Sequence, residues 1–309
     1  MESIRVFAPA TVANVTCGFD VLGFAVNSPG DEVILRFKEK PGIQISQITG
    51  DDGRLSKDPN LNTVSIAIQD YLQRTDWSGG IDIELHKKMP FGSGLGSSAA
   101  SAVAGVFAIN KLLGDKLDTP ALLPSAMEGE RVACGSAHAD NVAPSLYGGF
   151  VIIRSYDPLD VIKIPTPKDL YAVIIHPQIE VNTKDARNIL KKKIAMQDAI
   201  RQWGNVAGLI AGLTQSDYGL ISRSMEDVIV EPVRSLLIPA YDVVKNSALN
   251  AGALGCGISG SGPSLFALSQ EEGVATTVGA AMCDAFRSEK IDSEIYISKI
   301  NEKGPQVLD

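Results

Sequence analysis

The chain has 309 residues, a formal net charge of −8 and a sequence pI near 5.0, which argues against a general polyanion-binding surface of clustered Lys and Arg, so nucleic acid is not an expected partner. Hydrophobic residues make up 45% and charged residues 21%, a globular mix outside the disordered, collagen-like and coiled-coil classes. Cys17, Cys134, Cys256 and Cys283 form no CxxC pair, which argues against a disulfide scaffold or zinc site. Reduced thiols are the simplest reading. The N-terminus MESIRVFAPA lacks a basic region followed by an apolar one, and no stretch reaches the roughly 18 apolar residues of a membrane span. A cytoplasmic protein with no membrane partner is expected.

In chain order, Ile4–Ala8, Glu32–Phe37 and Ile81–His86 are short alternating or β-branched runs, and Gly149–Arg154 is continuously apolar; all four predict strands. Between them Asn62–Arg74 and Ser98–Leu113 carry helical spacing, with Gly114 where a C′ glycine ends the second. A third helix is predicted from Thr119 to Ala133, its Thr-Pro start suiting N-cap and N1. The two prolines of Ile162–Asp169 precede a fresh strand, Leu170–His176, and mark a domain boundary there. Helices near 184–213, 239–251 and 271–287 then alternate with strands Ser264–Leu268 and Glu294–Ile300, an α+β pattern. At roughly 150 residues per domain the length suits two units, 1–166 and 167–309.

The stretch Pro90–Ala100, PFGSGLGSSAA, places glycines at 92, 94 and 96 between a strand and a helix. Glycine lets the backbone approach an anion without a Cβ in the way, and a helix N-terminus offers unsatisfied amides and a positive dipole end. No lysine follows, so it is not a Walker P-loop, and a surface turn capping the helix is the plain alternative. A second glycine and serine loop, Gly257–Ser264, suggests two loops closing on one nucleotide. Glu130 shares a helical stripe with Leu123 and Met127, three and seven residues back, so this acid faces inward and needs a partner, either a metal ion or a lysine. By the same rule Arg187 precedes Leu190 and Ile194 on a predicted inner face.

Three motifs in order, Ala8–Asp20, Pro90–Ala100 and Gly257–Pro263, resemble those of the GHMP kinases across nearly the whole chain. The stretch Gly135–Phe150 is similar to a segment of the branch of that family acting on L-homoserine. The resemblance implies an N-terminal ribosomal-protein-S5-like ATP-binding domain, a C-terminal ferredoxin-like domain, and phosphorylation of the L-homoserine hydroxyl by ATP with Mg²⁺, a step in threonine biosynthesis. It assigns the phosphates to Pro90, Phe91, Gly92, Ser93, Gly94, Leu95, Gly96, Ser97, Ser98, Ala99 and Ala100, and the Mg²⁺ to Ser98 and Glu130. It assigns the amino acid to Asn14, Asp20, His138, Asn141, Arg187 and Arg234, with catalytic roles for Asn141 and Arg187.

Asn62 and Lys87 fall near the adenine or ribose by the same resemblance, which alone also implies a homodimer. Thr16 and Cys17 depart from the small residues commoner in the first motif. Asn141 stands where several relatives hold an aspartate, so the mechanism is expected to lack a protein base, with Asp140 as the alternative. Other GHMP substrates (mevalonate, a sugar or a shikimate-like acid) and a non-catalytic nucleotide-binding regulator remain the competing readings.

Overall fold

The computed structural model describes residues 2–134 and 138–308. Gly135, Ser136 and Ala137, which begin the family-like stretch, lie outside the described residues. The first half supplies β1 (Ser3–Ala13), β2 (Leu22–Lys38), β3 (Gly42–Thr49), α1 (Thr63–Arg74), β4 (Gly80–His86), α2 (Ser97–Leu112), α3 (Thr119–Cys134), α4 (Ala139–Tyr147), β5 (Phe150–Tyr156) and β6 (Leu159–Ile164). The second supplies β7 (Leu170–Pro177), α5 (Thr183–Asn188), α6 (Met196–Gln215), α7 (Tyr218–Ser224), α8 (Glu231–Arg234), α9 (Tyr241–Asn250), β8 (Gly255–Ile258), β9 (Leu265–Gln270), α10 (Glu272–Ser288), β10 (Ser293–Lys299) and β11 (Gln306–Leu308).

Seven strands form the first sheet in the order β11-β1-β2-β4-β3, with β5 and β6 continuing from β2. Among the described residues β3 and β4 are its one parallel pair, and the other pairs are antiparallel. Four strands form the second, antiparallel sheet in the order β10-β7-β9-β8, with α9 and α10 packed against it. This is the ferredoxin-like arrangement, and the whole is the α+β fold that the motifs imply. The last strand, β11, crosses back to pair with β1, so the end of the chain is part of the first sheet.

Helix α2 lies in the middle of the first unit, and its buried residues Ala99, Ala100, Ala102, Val103, Ala104, Val106, Ala108 and Ile109 surround it on every side. A helix apolar all round is a core helix, so the N-terminus that follows the glycine loop is held rigidly from behind. The units share a core through Phe24 of β2, whose ring stands 4.7 Å from Phe150 and 5.8 Å from Phe266 of β9. Backbone bonds also join them, including Asn301 N to Ala25 O at 2.8 Å.

The helices expected near 184–213 are α5 and α6, and residues 189–195 between them lie outside any helix. Lys191, Lys192 and Lys193 are all exposed there, and a helical turn with no apolar face to dock gains too little to persist. The inner face proposed for Arg187 through Leu190 and Ile194 therefore does not exist. Ile194 is exposed.

Candidate active site

The glycine loop is built from left-handed backbone. Gly92, Gly94 and Gly96 have φ of +62°, +76° and +66°, a region that side chains resist and glycine enters freely. Gly96 is the N-cap of α2 and has no side chain to cap with, so the first amides of the helix stay available to an anion. The second glycine loop packs directly on it: Ser259 Oγ donates to Gly94 O at 2.8 Å, and Ser264 N donates to Ser93 O at 3.3 Å.

A buried polar cluster supports the loop from beneath. Lys87 Nζ donates to Asp31, to Ser97 O at 2.9 Å and to Ser101 Oγ at 2.7 Å. Ser97 Oγ adds a bond to Asp31 Oδ2 at 3.0 Å. Burial pulls the Lys87 ammonium below its usual pKa, and Asp31 opposes that shift. Lys87 lines the cleft, but its ammonium is held inside the protein. Asn62 is similarly engaged: Oδ1 caps α1 by accepting from Val64 N at 3.2 Å, and Nδ2 donates to Ser56 O at 2.8 Å. Both side chains line the cleft from nearly buried positions at element ends, where their polar atoms also make these structural bonds.

At the rim of the helix N-terminus, Ser98 Oγ donates to Glu130 Oε1 at 3.0 Å. Glu130 is buried on α3 beside Leu123, while Glu128 pairs with Arg131 on the solvent side. Two adjacent oxygens of this kind suit Mg²⁺, which keeps several waters and takes one or two protein oxygens beside substrate phosphates. Among the described residues no group of three or more His, Cys, Asp or Glu gathers as a metal site.

The other end of the cleft is lined by charges from distant segments. Asn14, Val15 and Thr16 stand at positive φ of 74°, 41° and 57°, a conformation that is strained for non-glycine residues and most so for β-branched ones. Asn14 holds the turn: Oδ1 accepts from Asp20 N at 3.0 Å and Nδ2 donates to Gly260 O at 2.7 Å. Arg187 makes a bidentate pair with Asp20 at 3.0 and 2.8 Å. Phe19 lies under both arginines, 5.4 Å from Arg187 and 4.9 Å from Arg234. Arg234 is buried and donates to Ala186 O at 3.0 Å and Gly260 O at 2.9 Å.

Between the two ends, α4 opens at His138, with Asp140 and Asn141 in its first turn. Burial lowers the His138 pKa and Arg187 adds to the shift, favouring the neutral ring. Asp140 is buried, and its Oδ1 has no hydrogen-bond partner among the described residues. Burial first, and then Asp20, push its carboxyl up to about 7.

The structure therefore brings Asn14, Asp20, His138, Asn141, Arg187, Ser98, Glu130 and the glycine loop around one cleft of about 890 Å³. Sequence reading missed Gln202. Its Nε2 donates to Cys17 O and Asp227 Oδ1, both at 2.9 Å, and its Oε1 accepts from Val228 N at 3.0 Å. Asp227 in turn accepts from the amides of Ile229, Val230 and Glu231 at the start of α8, the helix that carries Arg234. It also missed Arg54, stacked 5.6 Å over Phe91. Nothing local in the sequence marks either residue, since each matters only through a partner far along the chain.

Two glycine loops meeting over an open helix N-terminus, with a metal-suited oxygen pair and no Walker lysine, define a kinase of a non-P-loop class. The family models for the GHMP kinases N terminal domain and the GHMP kinases C terminal domain match residues 62–149 and 209–288. The homoserine kinase of Chlorobium phaeobacteroides is 50% identical over the full length of both chains. That of Pyrococcus abyssi is 40% identical over 96% of each. The crystal structure of homoserine kinase from Cytophaga hutchinsonii superposes with a TM-score of 0.98 at 65% identity, covering 100% of this chain and 98% of that one. The chain belongs to the GHMP kinases and, within them, to the homoserine kinase family.

Proposed function

We propose that this cleft transfers the γ-phosphoryl group of ATP to the side-chain hydroxyl of L-homoserine, giving O-phospho-L-homoserine for threonine biosynthesis, and that residues 1–166 form the ATP-binding domain and 167–309 the C-terminal kinase domain, apart from β11, which returns to the first sheet. The observation that carries the substrate reading is the bidentate pair of Asp20 and Arg187. Its two charges are opposite to those of an amino-acid zwitterion, so the ammonium takes Asp20 and the carboxylate takes Arg187, with Arg234 beside it. A neutral sugar, or an acid without an ammonium, brings no cation to replace Arg187 at Asp20 when that arginine turns to the substrate.

Phosphoryl transfer needs positioning and charge neutralisation more than covalent chemistry from the protein. The amides that follow Gly96 cradle the phosphates at the positive end of α2. Ser98 and Glu130 would hold Mg²⁺, which would supply charge to neutralise the triphosphate. Asn141 positions the attacking hydroxyl, whose oxygen bonds to the γ-phosphorus as the bridge to ADP breaks, and its proton passes to phosphate or water. A second reading rests on Asp140, because a buried carboxyl near pKa 7 with an unpartnered oxygen has the properties of a general base.

ADP release with ATP and Mg²⁺ against homoserine, mevalonate, galactose and shikimate tests the proposal. Turnover is expected with homoserine alone. Turnover with another of the four reassigns the substrate, and turnover with none leaves a nucleotide-binding regulator.

A further inference from the structure

Thr11 lies near the end of β1 with no exposed surface, yet it carries a hydroxyl. Its backbone N donates to Leu95 O at 3.0 Å, within the glycine loop. Its side chain donates from Oγ1 to Asn141 Oδ1 at 2.8 Å. One residue thus touches both the phosphate cradle and the amide beside the reacting hydroxyl. Gly96 completes the fit, since a Cβ there would overlap Thr11 Oγ1 and lie 2.8 Å from Asn141 Oδ1.

An asparagine amide presents an acceptor on one side and two donors on the other, and it reverses the two by rotating half a turn. A hydroxyl donating to Oδ1 holds the acceptor inward and leaves Nδ2 for the cleft. There the bound group is an anionic phosphoryl, for which an N–H is the complementary partner and a carbonyl oxygen a repulsive one.

We propose that Thr11 is a positioning residue that holds Asn141 as a hydrogen-bond donor toward the phosphoryl group in flight. The inference rests on the placement of Asn141 at the reacting hydroxyl. It leaves the Nδ2 donors as the groups that the amide turns to the cleft, one lone pair of Oδ1 being engaged by Thr11.

The test is a double-mutant cycle on kcat and on KM for each substrate. Thr11→Val keeps the shape of the side chain and removes the donor. It is expected to lower kcat about tenfold, the scale of one ordinary hydrogen bond, with both KM values within about twofold of the parent. Thr11→Ser keeps the donor and is expected to recover most of the loss, which also keeps the test informative if the valine variant melts early. Asn141→Ala is expected to lose about 10²-fold or more, and adding Thr11→Val to it should slow the enzyme no further. Equal losses from Thr11→Val in both backgrounds, or a serine variant as slow as the valine, overturn the proposal by showing a purely structural role. Full speed in Asn141→Ala instead overturns the placement of Asn141, an outcome separable because it appears in that single variant alone.

Discussion

The two ends of the cleft are made in opposite ways. At the phosphate end one short stretch, residues 90–101, supplies nearly everything: three left-handed glycines, a bare helix N-terminus and, below it, serines bonded to a buried lysine and aspartate. At the amino-acid end, Asn14, Asp20, His138, Arg187 and Arg234 arrive from both halves of the chain, and the strained backbone at 14–16 is tied across to Gly260. An anion can be bound by backbone amides, which any residue provides once the path of the chain is set. A zwitterion needs opposite charges at a fixed separation, which requires side chains from separate elements.

Breaking the backbone path should have the largest effect. In Gly94→Ala the new methyl group runs into the Ser259 carbonyl and comes within 2.9 Å of Gly262 O, at a φ of +76°, so neither loop can keep its place. Turnover with ATP is expected to fall at least about a hundredfold while the far-UV circular dichroism stays that of a folded protein. Parental ATP kinetics would show that the loop tolerates displacement.

The charged end should yield a smaller and more selective loss. Arg187→Ala removes one partner of a half-exposed pair, so the KM for homoserine is expected to rise about tenfold to a hundredfold, with the KM for ATP close to the parent. Equal rises in both constants would mean that the two ends are not separable.

The mildest expected effect lies between them, at Asp140. Its carboxyl titrates near 7 in the folded chain against about 4 when exposed, so its stabilising contribution is complete below about pH 4 and is lost as pH rises through about 7. Asp140→Asn should therefore raise the melting temperature by several degrees at pH 8 and leave it nearly unchanged at pH 5, with turnover within about threefold of the parent. A collapse of turnover together with loss of an acid limb near pH 7 would move the proton acceptor to Asp140.

The contrast between the ends also governs what could be read from the residues. The strands at 4–8, 81–86 and 170–176 and the helices α1, α2 and α3 were legible because burial on one face imposes a period of two or 3.6 residues. The edge strands β3, β6 and β11 and the short helices α4, α7 and α8 were not, since few residues with little local preference are held by their neighbours. Arg187 was read as sharing the inner side of its helix with Leu190 and Ile194, but a six-residue helix that ends before both carries it and its direction is set by Asp20 and Phe19. For Lys87 and Asn62 the spacing showed that they neighbour the loop and the helix start, but not that Asp31 and the cap of α1 engage their polar atoms.

What the sequence alone determined is the phosphate loop with its glycine conformations, the inward stripe of Glu130 and the α+β order of elements, all consequences of spacing along the chain. Only the tertiary structure decided which charges face one another across the cleft, that Lys87 lies beneath the loop, and that the Thr11 hydroxyl meets Asn141. Such pairings span up to 167 residues, as between Arg187 and Asp20. Their partners are chosen by how the sheets pack, and no local pattern records that choice.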